Sequence, residues 1–251
     1  MCVTLTNYFR HRSVQRQAGK SLRATRETLF DDFTPYLMLA FAFLIVCWVE
    51  FTQYLAGRRL HPLFWLLPTV GLIVVTGTKA FRLRARLQRL RRGEFGERSV
   101  AEILDRIRAQ GFSCVHDLPG NTGNIDHVVV GPSGIYAIET KMRSGTGTIT
   151  YRASGDLIFG GRINDKRALW QARSAAAAIG SQLREQTKTP VWVKPLVVFV
   201  GEWRVRRDAG DYAVDVIAAK ELEQYFDRQQ PELTRSEIAS IASHLERTAR
   251  G

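Results

Sequence analysis

Asn124-Ile-Asp-His-Val-Val-Val-Gly131, followed two residues later by Gly134-Ile-Tyr-Ala-Ile-Glu-Thr-Lys141, is the stretch that decides the fold. Both halves are short, apolar and rich in β-branched residues, and Pro132-Ser133-Gly134 supplies a turn, so they read as a β-hairpin. The second strand is read as ending in Glu-Thr-Lys. Side chains two residues apart share a strand face, so Glu139 and Lys141 point one way and Thr140 the other. The hairpin brings Asp126 alongside them. Two carboxylates and an ammonium ion at the end of an apolar strand suit holding a divalent cation against a phosphodiester.

Outward from the hairpin, residues 97–110 read as an amphipathic helix with Val100, Ile103, Leu104 and Ile107 on one face. Gly93-Glu-Phe-Gly96 is expected to break the chain before it, and Gly111 to stop it. A first strand is expected over 112–118, a loop over 119–123, and short strands over 145–151 and 156–159. A long helix is expected over 164–186, an apolar strand over 191–200, another strand over 212–217 and a short helix over 221–227. The capping box Thr234-Arg-Ser-Glu237 opens a last helix, running to about Arg247. Helices around a mixed sheet make the class α/β.

Ahead of residue 93 lie two apolar runs, about 35–56 and 62–78, each near the ~20 residues that a bilayer crossing needs. Pro68 and Gly71 in the second are tolerated in lipid. Trp48, Tyr54 and Trp65 stand near the proposed ends, where aromatic belts form. A two-helix transmembrane hairpin is therefore expected over 34–78. A basic segment, 1–33, precedes it with Arg10, Arg12, Arg16, Lys20, Arg23 and Arg26. A basic juxtamembrane helix, 79–92, follows it. The link carries only Arg58 and Arg59, so the positive-inside rule places the N-terminus and residues 93–251 in the cytoplasm, at the inner membrane.

The formal net charge of the 251 residues is +12, from 36 Lys and Arg against 24 Asp and Glu. Of these, 15 basic and 4 acidic residues lie in 1–92, which leaves 93–251 nearly neutral. The excess thus belongs to the membrane flanks, and bulk charge gives the C-terminal part little reason to bind nucleic acid. Arg143, Arg152, Arg162, Lys166, Arg167 and Arg173 are instead candidates to gather around the hairpin. Cys2, Cys47 and Cys114 form no CxxC, and the five histidines make no ligand-spaced pair, which argues against a disulfide framework or a zinc site.

The order helix, strand, Asp-bearing strand, Glu-x-Lys strand, helix resembles the PD-(D/E)xK nuclease superfamily, with Ile125 in place of the motif's proline. Gly96-Glu97, Asn124-Ile-Asp-His127, Val130-Gly-Pro-Ser-Gly-Ile135 and Ile138-Glu-Thr-Lys141 together resemble one branch of it, the nuclease-related domain, NERD, over about residues 90–205. The resemblance implies a restriction-endonuclease-like mixed sheet flanked by helices over 93–205, with a C-terminal strand and helices, 206–251, packed on it. It implies Asp126 and Glu139 as metal-binding carboxylates, Lys141 as the catalytic lysine, Glu97 as the acid of the first helix, and Gln171 as a glutamine on the helix after the core strands. The implied cofactor is Mg²⁺ or Mn²⁺. The implied partners are nucleic acid, DNA ahead of RNA, beside the lipid bilayer and a second copy in a homodimer.

The chemistry can be set beside this. Mg²⁺ prefers oxygen ligands and keeps several waters. Asp126 and Glu139 offer carboxylate oxygens, the Thr140 carbonyl a third ligand, and Glu97 completes the shell. Lys141 orients the attacking water and offsets charge in the transition state. The expectation is a membrane-anchored, metal-dependent nuclease acting on cytoplasmic DNA or RNA. Without the family pattern, Glu139 and Lys141 read as an exposed ion pair, Asp126 as a turn residue, Glu97 as a helix N-terminal charge and Gln171 as a plain helix residue. His127 reads as a packed strand residue, Asn124 as a turn former, and Trp170, Trp192 and Trp203 as core. The rival function is a non-catalytic module binding nucleic acid or protein at the inner membrane face.

Overall fold

The computed structural model describes residues 33–57, 63–120, 123–164, 166–187 and 191–249. The basic segment expected over 1–33 lies outside them but for its last residue, as do the link arginines Arg58 and Arg59 and the tip of the 119–123 loop. The described residues fall into two units, with the boundary in the chain between Arg92 and Gly93.

In the first unit, helix α1, Thr34–Leu55, carries Pro35 in its opening turn, where a missing N–H costs nothing. Met38, Phe41, Trp48 and Leu55 are among many large apolar side chains that it leaves exposed. A helix apolar on all sides needs an apolar environment around it. Among the described residues one helix, Phe33–Leu55, is long and apolar enough to cross a membrane. The expected two-helix transmembrane hairpin is corrected to this one candidate helix. The run over 62–78 is instead the start of helix α2, Leu63–Ile107, which contains Pro68 and turns basic from Lys79. Within the unit, Cys47 Sγ and Thr69 Oγ1 lie 2.8 Å apart, and the Lys79 ammonium stands 3.3 Å from the Tyr36 ring centroid.

A second correction concerns 93–96. Gly93 and Gly96 do not break the chain, and the basic stretch 79–92 is the middle of the 45-residue α2. Glycine in a helix costs about 1 kcal/mol against alanine, and tertiary packing overrides it here. A Cβ at buried Gly96 would stand 2.8 Å from Met142 Cβ, so the missing side chain lets α2 close on the sheet.

The second unit is built on strands β1 (Ser113–Gly120), β2 (Gly123–Gly131), β3 (Gly134–Tyr151), β4 (Leu157–Phe159), β5 (Arg162–Asn164), β6 (Val193–Arg207) and β7 (Asp215–Ala218). β1, β2 and β3 form an antiparallel meander. β6 runs parallel to β3, and β7 parallel to β6. The β4–β5 hairpin pairs with the far half of β3. Helix α3, Arg167–Thr187, leads into β6, and α4, Leu222–Asp227, and α5, Arg235–Thr248, close the unit. Ala175, Ile179 and Leu183 of α3 join Ile238, Ile241 and Leu245 of α5 on one sheet face. Val100, Leu104 and Ile107 of α2 join Leu222 and Phe226 of α4 on the other. The mixed α/β sheet flanked by helices is as expected.

β3 does not end at Lys141. Its register with β6 slips by two residues between Met142 and Thr146, and the ladder then continues to Tyr151. Arg143-Ser-Gly145 is therefore a bulge rather than a strand end. Ser144 and Gly145 look like a break in isolation, but β6 offers a 15-residue partner along the whole length. Gly201 lies opposite, at φ 130°, where an added Cβ would approach the Arg143 carbonyl oxygen to 2.6 Å. Pro195 is tolerated inside β6 because pairing with β7 begins only at Leu196, so its missing N–H withdraws nothing from that ladder.

Candidate active site

The β2–β3 ladder runs from Gly131–Gly134 to His127–Ile138. At this end Asp126 takes over from the backbone: its Oδ2 accepts the Thr140 N–H at 2.7 Å. An interior N–H left unpaired would be costly, so this bond fixes where the Asp126 carboxylate stands. Glu139 and Lys141 continue the face of Ile135 and Ala137, which packs against α3. The Glu139 side chain is 8 % exposed, and its Oε1 accepts from Lys141 Nζ at 2.5 Å while the lysine remains 32 % exposed.

Gln171, one turn into α3, stands beside this pair. It lines a cleft of about 470 Å³ together with Glu139, and a second of about 360 Å³ together with Lys141. Its Oε1 is buried with no hydrogen-bond partner among the described residues. Small residues on the same helix, Ser174, Ala178 and Ser181, leave the larger cleft open.

Glu97 lies inside α2 rather than at a helix start, so compensation of a helix N-terminus does not explain it. Burial first, then the charges of Asp117, Glu139 and Glu94, push its carboxyl up to about 7, against the pull of Lys141. The Asp126 carboxyl is held well above the usual range by burial, then by Glu139 and Glu97, with the Thr140 N–H and Lys141 opposing. Glu97, Asp126, Glu139 and Lys141 therefore act on one another through one local field.

Asp117 was not anticipated. Its φ of 55° is left-handed, the only such non-glycine among the described residues. The pairs His116–His127 and Leu118–Ile125 flank it, which sets it level with Asp126 across β1 and β2. Its Oδ1 accepts from Asn124 Nδ2 at 2.7 Å, so Asn124 serves this aspartate as well as the turn. The signal was the mirrored pair His116-Asp117 and Asp126-His127, legible only once the register is known.

Among the described residues no three His, Cys, Asp or Glu side chains are grouped to enclose a metal as they stand. The donor chemistry still suits a hard cation. Burial and the neighbouring carboxylates raise the proton affinity of Glu97 and Asp126, and Lys141 is the one cation that opposes this. Such a set is short of positive charge and offers only oxygen.

Residues 92–200 match the family model of the nuclease-related domain. The match contains Glu97, Asp126, Glu139, Lys141 and Gln171 and leaves α1, β7, α4 and α5 outside. It agrees with the resemblance carried by the hairpin. No curated protein and no solved structure matches the chain.

The structure also places the remaining candidates. Of the six basic residues, Arg143 and Arg167 line the cleft beside Lys141. Lys166 pairs with Asp156 at 3.0 Å, and Arg152 stands 3.9 Å from Asp208. Arg173 lines a separate cleft with Trp192, and Arg162 is exposed. Trp203 is core, but Trp170 and Trp192 are exposed, contrary to expectation. His127 is packed, as expected, and it is paired: its Nδ1 lies 2.7 Å from Nδ1 of His116. One ring must donate and the other accept. Burial lowers the pKa of His116 to about 4 and that of His127 well below the ordinary value, so both are neutral.

Proposed function

We propose that this chain is a membrane-tethered, metal-dependent nuclease that hydrolyses phosphodiester bonds of DNA or RNA, on a restriction-endonuclease-like form of the α/β sheet. The observation that carries the reading is the meeting of Asp126, Glu139, Lys141 and Gln171 where the β2–β3 ladder opens. Mg²⁺ or Mn²⁺, held by Asp126, Glu139, the Thr140 carbonyl and Glu97, would polarise the scissile phosphate and acidify a bound water.

Each side chain has a role of its own. The Thr140 N–H keeps Asp126 oriented. Glu139 holds Lys141 at the strand edge, while the lysine's remaining exposure lets it meet a water or a phosphate oxygen. There its charge offsets what develops in the transition state. The Gln171 amide offers an acceptor or, after a half-turn of its last torsion, two N–H donors. A buried polar atom without a partner costs about 1–3 kcal/mol, and a bound substrate or water relieves that. Helix α1 serves as the anchor, and the basic residues 79–92 favour the cytoplasmic leaflet for the segment leading to the domain.

The ungrouped carboxylates favour one alternative, a module that binds nucleic acid without cutting it. The test uses the full chain in detergent with labelled single- and double-stranded DNA and RNA, under Mg²⁺, Mn²⁺ or EDTA. Metal-dependent cleavage that falls about 10²–10³-fold in Lys141→Ala is expected. A folded protein that binds but leaves every substrate intact would establish the binding module instead.

A further inference from the structure

Gln171 separates two clefts of opposite character. The larger, beside Glu139, has no basic residue among its described lining; Gly120, Gly123, Asn124 and Ser174 are among the small or neutral groups there. The smaller, beside Lys141, includes Arg143 and Arg167 and, among the described residues, no acidic one. Around the catalytic pair the basic residues lining the two clefts, among those described, therefore lie on one side.

We propose that this smaller cleft is a phosphate subsite, in which Arg143 and Arg167 hold the backbone phosphate next to the scissile one. The inference rests on the nuclease reading and adds where the strand continues. Arg143 belongs to the two-residue bulge between Met142 and Thr146, the sort of irregularity that re-aims a side chain beside a site. Its guanidinium lies 4.7 Å from the Phe159 ring centroid. Phe159 is in turn wedged between Phe199 and Trp203, at 5.3 and 5.6 Å. The Arg143 carbonyl accepts from Trp203 Nε1 at 3.0 Å, so backbone and side chain are both fixed before any ligand arrives. Arg167 opens the 21-residue α3, whose positive end adds to the same cleft. Planar guanidinium groups bind phosphate oxygens in pairs of hydrogen bonds, which a lysine cannot reproduce. A local cluster also explains how a nearly neutral domain can hold a polyanion.

The test measures binding of a fluorescein-labelled oligodeoxynucleotide by the full chain in detergent, by anisotropy in EDTA, across a salt series. Arg143→Gln and Arg167→Gln are each expected to weaken binding several-fold and to lower the slope of log affinity against log salt by about 1. Arg143→Lys should keep most of the slope while losing affinity. Arg228→Gln, at the exposed end of α4 and outside both clefts, should change neither, and circular dichroism verifies that each variant is folded. Unchanged affinity and slope in both arginine variants would overturn the subsite, as would a wild-type protein that does not bind. If the wild type cleaves with Mg²⁺ yet the arginine variants bind normally, the subsite fails and the nuclease reading stands. If binding depends on the arginines but no cleavage occurs, the reverse holds.

Discussion

Glu97 couples the site to pH. Its carboxyl titrates at about 7 when folded, against 4.5 ordinarily. Below 4.5 it is protonated in folded and unfolded chains alike, and burying it carries no charge penalty. As pH rises the unfolded chain releases its proton first, so folded stability declines until about 7, where both states are ionised. Asp126, also raised, acts in the same direction. Asp156 and Glu237, whose carboxyls are lowered by their hydrogen bonds, act in the opposite one, with stability lost as pH falls. The informative quantity is therefore the difference from Glu97→Gln. Thermal midpoints of the metal-free protein should drop relative to Glu97→Gln between about pH 4.5 and 7, and Mg²⁺ should restore the wild type above pH 7. Parallel profiles for the two proteins would contradict a half-buried Glu97 beside other carboxylates. That Glu139 and Lys141 share a strand face was legible at this scale, because alternation along a strand is a local rule. Asp117 was not, because its importance comes from standing level with Asp126 across a register that only pairing defines.

Among the elements, α2 and α5 make opposite predictions. Gly96→Ala places a Cβ 2.8 Å from Met142 Cβ and must push α2 off β3. It should cost about 1–3 kcal/mol in urea unfolding, as overpacking does, and should depress cleavage too because Glu97 moves with the helix. Thr234 caps α5 by accepting the Glu237 N–H, with the Glu237 carboxylate returning to the Thr234 N–H. Thr234→Ala should cost about 1 kcal/mol and leave cleavage unchanged, because the cap at the start of α5 lines neither cleft. Equal losses of activity in the two variants would mean that general instability, rather than displacement of Glu97, is being measured. The α5 cap was readable since Thr234 and Glu237 are three residues apart. The continuity of α2 and the full length of β3 were not, since Met142 and β6 override the local glycine signals from far along the chain.

For the whole molecule, the exposed apolar surface of α1 has a direct consequence. Phe41 and Ile45 face outward, 66 % and 50 % exposed. Each lysine introduced near the centre of a crossing helix costs about 2.5–3.5 kcal/mol. Phe41→Lys combined with Ile45→Lys should release the protein from membranes under alkaline extraction, whereas the wild type stays in the pellet. Retention of the double variant would remove α1 as the anchor. The sequence by itself determined the hairpin, the faces of its side chains, the apolar helix, the α/β class and the α5 cap. All of these rest on residues within one or two turns, or within one strand repeat, of each other. Tertiary structure alone decided that α2 runs unbroken past Gly93 and Gly96, that β3 continues beyond Lys141, and that Gln171 and Asp117 join Asp126 and Glu139. It also decided that His116 and His127 form a pair and that Arg143 and Arg167 share a cleft. In each of these, partners distant along the chain meet through packing and strand register, and the free energy of those long-range contacts outweighs what the local residues prefer.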